Sequence, residues 1–130
     1  METVKRIESN PSLEELHQQS IEWADEVAFI KEELVFLRKL LTKFGGHFPT
    51  VESAELDKEL IVFVSNTLSP LLHSILEHEM WLSDILRTDT LSRLKFYREL
   101  HGDLSERMRA CRKEIFGIKK RFFAFAKTQG

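Results

Sequence analysis

Residues 13–44 read LEELHQQSIEWADEVAFIKEELVFLRKLLTKF, and their periodicity decides the fold class. Leu13, Leu16, Ser20, Trp23, Val27, Ile30, Leu34, Leu37, Leu41 and Phe44 follow one another in alternating steps of three and four. Side chains at that spacing return to one face of an α-helix, so this is a heptad seam sustained over more than four repeats. Just before it, Pro11-Ser12 and Glu15 form a helix start, with Ser12 as cap and Glu15 completing a capping box. Gly45-Gly46 ends the run, because glycine takes the left-handed closing conformation cheaply.

Two more seams follow. Ile61, Val64, Leu68, Leu71, Ile75, His78, Leu82 and Ile85 predict a second helix, with Pro70 inside it. Proline removes one backbone hydrogen bond, so a kink is expected there with the seam staying in phase. Leu94, Tyr97, His101, Leu104, Met108, Cys111, Ile115, Ile118, Phe122 and Phe125 predict a third helix that runs through Gly102 without losing phase. Asp89 or Thr90 is placed to cap it. Helices of about 12–44, 52–87 and 90–127 behind a tail of residues 1–11, each roughly 50 Å long at 1.5 Å per residue, predict one all-α domain over 1–130. Short connections make it an antiparallel up-down-up bundle, coiled-coil-like in its packing.

Composition narrows the functional classes. Only five glycines and three prolines disfavour β-sandwich and loop-rich scaffolds. A net charge of −2 gives no global field for nucleic acid, which is not expected as a partner. The single cysteine, Cys111, excludes an intrachain disulfide and fits a reducing compartment. A charged N-terminus offers no signal-peptide core, and the longest uncharged stretch, Leu60 to Leu76, carries Ser, Asn, Thr, Pro and His. A membrane is therefore not expected as a partner either, and a cytoplasmic location is.

The apolar surplus is informative. Beyond its seam the second helix carries Leu60, Val62, Phe63, Leu72, Leu76, Met80, Trp81 and Leu86, and the first carries Ile21, Ala28, Phe29, Val35 and Phe36. The third adds Phe96, Phe116 and Phe123. So many off-seam apolar residues predict association, as a homodimer or with a partner helix. Ile21, Phe29, Val35, Phe36, Phe63 and Trp81 are the interface candidates.

Two groups of polar residues stand out. His78 and His101 lie about equally far from the second turn, on facing seams, with Tyr97 one helical turn from His101. The first helix brings Glu22 and Glu26 to the same level, so one end of the bundle is expected to hold a polar core layer that fixes register. The alternative use of that layer is a metal or small ligand. Glu14-x-x-His17 and His73-x-x-x-Glu77 each occur without the second motif a dimetal bundle needs, so neither metal nor cofactor is expected. The other group is the basic stretch with Arg112, Lys113, Lys119, Lys120 and Arg121, which either pairs with acidic residues inside the bundle or meets an anionic or membrane surface. Walker, Gly-x-Ser-x-Gly, Gly-x-Gly-x-x-Gly and Cys-x-x-Cys motifs are all absent, and the expectation is a non-enzymatic interaction protein.

Overall fold

The computed structural model describes residues 11–45, 50–88 and 91–129. Residues 1–10 of the expected tail, residues 46–49, where a connection is expected, and the cap candidates Asp89 and Thr90 lie outside these residues. The described residues form three helices and no strand, an all-α helical bundle. We number them α1 (Leu13–Gly45), α2 (Val51–Thr88) and α3 (Leu91–Gln129).

Local chemistry sets the starts. The Glu15 N–H, otherwise orphaned, donates to Ser12 Oγ at 3.1 Å, and the Leu16 N–H opens the helical ladder by donating to the Ser12 carbonyl at 3.0 Å. At α2, Thr50 is extended (φ −81°, ψ 168°) and its Oγ1 accepts from the Ser53 N–H at 3.1 Å. The Ser53 hydroxyl returns a bond to the Thr50 carbonyl at 3.0 Å, which explains why a serine can be buried there.

The middle helix holds the main departure from expectation. Val64–Leu68 is a single π-helical turn, in which the Ser69 N–H reaches back five residues to the Val64 carbonyl. Only Ser69 separates it from Pro70, whose ring would crowd the carbonyl four residues before it in a regular helix. The wider turn relieves that crowding and absorbs one extra residue. The buried positions of α2 are accordingly Ser53, Leu56, Leu60 and Phe63 before the turn, and Leu68, Leu71, Ile75, His78, Leu82 and Ile85 after it. The seam steps by five at the turn.

That step corrects the sequence reading of the first half of α2. Ile61, placed on the seam, is 44% exposed, and Val64 is only partly buried. Phe63, named as an interface residue, is 2% exposed and belongs to the core, as does Leu60. Counting back from Leu68 in threes and fours puts the seam one residue too late, because the inserted residue is invisible to that count.

Contacts between helices order the bundle. Pro11–Arg98, Gln19–His101, Glu26–Arg112 and Glu33–Lys119 rise together along α1 and α3. His78–His101, Ser74–Arg107 and Glu59–Arg121 run in opposite senses along α2 and α3. The core divides into two apolar clusters. The larger runs from Trp23 to Leu41 on α1, Leu56 to Ile75 on α2 and Leu104 to Phe125 on α3, and the smaller joins Leu16, Leu82, Ile85 and Tyr97. Buried Ser20, His78 and His101 lie between them. By length and composition alone α2 is able to cross a membrane, and 28% of its most apolar window is buried by the rest of the chain.

Candidate functional site

The polar layer is built from all three helices. Ser20 sits on the α1 seam, and its hydroxyl donates to the Leu16 carbonyl at 3.0 Å, a bond made within its own helix. His78 from α2 and His101 from α3 are 4% and 5% exposed. They meet through His78 Nε2 and His101 Nδ1 at 3.0 Å. His101 Nε2 lies 2.7 Å from Gln19 Oε1.

With the Gln19 amide turned this way, one proton assignment satisfies both contacts. An amide oxygen only accepts, so with Gln19 Oε1 facing the ring the His101 proton is on Nε2. His101 Nδ1 then accepts, and His78 Nε2–H donates to it. The relay ends at His78 Nδ1, a bare lone pair that is buried without a partner.

Aromatic rings clamp both imidazoles. His78 lies flat on Tyr97, with centroids 4.0 Å apart and planes 1° from parallel, and Trp23 stacks on His101 at 4.5 Å. Burial lowers His78 to about 4, with the neighbouring His101 adding to it. Burial likewise lowers His101 to about 4, assisted by Arg98. Both rings are therefore neutral near pH 7. Burial pushes the Tyr97 phenol up to about 12, with Glu79 contributing. Glu79 pairs through Oε2 with His17, while its Oε1 and the Tyr97 hydroxyl are buried without a partner in hydrogen-bond geometry.

Glu22 and Glu26, expected in this layer, are elsewhere. Glu22 is exposed, and Glu26 forms a two-pronged pair with Arg112, both bonds 2.8 Å. Their positions on the α1 wheel turn them away from the seam, whereas Gln19 and Glu79, each beside a buried polar residue, reach inward. Among the described residues no three His, Cys, Asp or Glu side chains converge as a metal site requires. A groove of about 480 Å³ between α2 and α3 is lined by His78, Trp81, Glu77, Asp103, Leu104 and Arg107. Cys111 is buried and its thiol is pushed up to about 11 by burial, so it stays protonated and weakly nucleophilic near pH 7.

Comparison with protein-family models, curated proteins and solved structures finds no match. Function rests on this chain's own surface and core.

The basic residues are largely engaged within the chain. Arg112 binds Glu26, Lys119 binds Glu33 at 2.7 Å, and Arg121 binds Glu59 at 2.6 Å. Lys113 and Lys120 are exposed. The interface candidates behave differently. Ile21, Phe29, Val35 and Phe36 are 38%, 63%, 53% and 58% exposed. Trp81 is half-buried, edge-on to Phe96 at 5.3 Å and with Arg93 against its ring, so its own chain already covers part of it. Thirteen large apolar side chains on the three helices are exposed among the described residues, Met80 and Phe116 most after Val51.

Proposed function

We propose that this chain is a non-enzymatic, antiparallel up-down-up bundle that works through protein–protein contact, as a homodimer or as a scaffold for a partner helix in the cytoplasm. The π turn and Pro70 are where its middle helix bends. The observation that supports this reading is the set of exposed apolar side chains. A Leu or Phe left in water forgoes about 1.5–3 kcal/mol relative to full burial, and monomeric surfaces rarely carry so many together. The neutral histidine pair serves in this reading as a register device between two apolar clusters.

Sedimentation equilibrium of the purified chain is the test. A dimer or larger assembly that Phe29→Glu or Phe116→Glu dissociates supports the proposal. A monomer that also fails to float with neutral vesicles would overturn it, and flotation of the native chain would assign the apolar faces to lipid instead. A second reading, a small ligand or metal held at the His78/His101 layer, is favoured by the partnerless Nδ1 of His78. Metal analysis, together with ligand-induced shifts of the imidazole resonances, separates it from the first.

A further inference from the structure

The outer side of α1 is set by helical geometry. Trp23, Val27, Ile30, Leu34 and Leu37 face the core, so the opposite ridge carries Ile21, Asp25, Ala28, Glu32, Val35 and Lys39, with Phe29 and Phe36 beside it. Of the charges on the flanks of α1, Glu26 pairs with Arg112, Glu33 with Lys119 and Arg38 with Asp57 inside the chain, while exposed Lys31 has no ion-pair partner among the described residues. Glu22, Asp25, Glu32, Lys39 and Lys43 are exposed and have no ion-pair partner among the described residues. These five are also sorted by sign along α1: Glu22 and Asp25 in the N-terminal half, Glu32 just past the middle, and the two lysines toward the C-terminal end.

We propose that this ridge is the interface for a second copy of the chain, with the two α1 helices antiparallel about a two-fold axis at Glu32. The inference rests on the homodimer reading above and adds the surface and the register. An axis there sets Asp25 level with the second copy's Lys39, and Glu22 within one residue of the level of Lys43. It sets Phe29 opposite Val35, and small Ala28 opposite large Phe36, so side chains interdigitate as two helices 8–10 Å apart require. Each matched pair occurs twice, as an isologous contact demands. Parallel pairing would instead stack Asp25 on Asp25 and Lys39 on Lys39.

The other apolar faces lack this code. Phe116 and Phe123 on α3 stand near Arg109, which pairs with Glu106, and near Lys113 and Lys120, so the unpaired charges beside them are of one sign and oppose pairing with their own copy. The outer side of α2 carries no charge between Lys58 and Glu77, so nothing there sets a direction. The α1 register has one like-charge contact, Glu32 against itself at the axis, and that contact limits affinity.

The test is sedimentation equilibrium on exposed-site variants whose helicity is first confirmed by circular dichroism. Asp25→Lys and Lys39→Asp should each weaken the dimer by about tenfold or more, and the double variant should return within about threefold of the native chain. Glu32→Gln should tighten it by about fivefold, since it removes the repulsion at the axis. A native dimer indifferent to these changes overturns this interface and leaves the homodimer reading standing. A native chain that stays monomeric overturns both.

Discussion

Acid should destabilise this protein well before its carboxylates are protonated, and the histidine pair sets the window. Both imidazoles titrate at about 4 in the folded chain, against an ordinary value of 6.5. As pH falls below 6.5 the unfolded chain takes up protons that the folded chain refuses. Stability present above 6.5 is therefore lost progressively down to about pH 4, and the loss levels off below it. At about pH 5 the penalty is about 2 kcal/mol for each imidazole, and near pH 4 about 3, with the two coupled through their shared hydrogen bond. A domain of ordinary stability has only about 5–15 kcal/mol to lose. Urea unfolding followed by far-UV circular dichroism, at one protein concentration, should show the midpoint falling between about pH 7 and pH 5. The control is His78→Phe with His101→Leu, which removes both hydrogen-bonding partners together and should flatten the profile. An unchanged native midpoint over that window, or an equal fall in the control, would refute the reasoning.

Three further outcomes are expected. Tyr97→Phe removes a buried hydroxyl that lies beside Ser20 without hydrogen-bond geometry, so thermal unfolding should be unchanged or raised by the equivalent of about 1 kcal/mol; a comparable loss would mean the phenol bonds Ser20. Deleting Asn66 turns the five-residue seam step into a step of four, so the chain should keep its helicity and cooperative unfolding, whereas deleting Ala28 from α1 breaks an uninterrupted seam and should abolish both. Gly102→Ala lies in an exposed helix interior where an added Cβ meets nothing within 4 Å, and it should raise stability by about 0.5–1 kcal/mol in chemical denaturation.

Where periodicity was unbroken, the sequence was easy to read. Every α1 seam residue from Leu16 to Leu41 is buried, and so is the α3 seam from Tyr97 to Phe125, because a straight helix turns each step of three or four into one face. The π turn defeated the same reasoning at Phe63 and Ile61, since a pattern of threes and fours has no symbol for an inserted residue. A forward count from Thr50 would have exposed the conflict, as the cap sets the start of the helix and leads to Ser53, Leu56 and Leu60 independently of Pro70. The meeting of His78 with His101 followed from counting outward from a turn. Gln19 and Glu79 were missed because each stands one place off the seam, where polar residues normally face water, and only their adjacency to Ser20 and His78 hinted at inward reach. Glu26 has a conspicuous partner in Arg112, and a carboxylate with a guanidinium in reach is drawn to the surface rather than to a neutral imidazole pair.

The π turn has one more effect. A regular α2 would lock its two ends into a single rotational setting, so any change of twist at one end would be passed to the other. With a five-residue step at Val64–Leu68, the second half is turned relative to the first by a fixed offset, like two gears keyed at different angles on one shaft. The half that carries His78 meshes with the polar layer, while the half that carries Leu56, Leu60 and Phe63 meshes with the apolar end. Each end can therefore present its own buried face to the bundle, although the two faces would fall out of line on a regular helix.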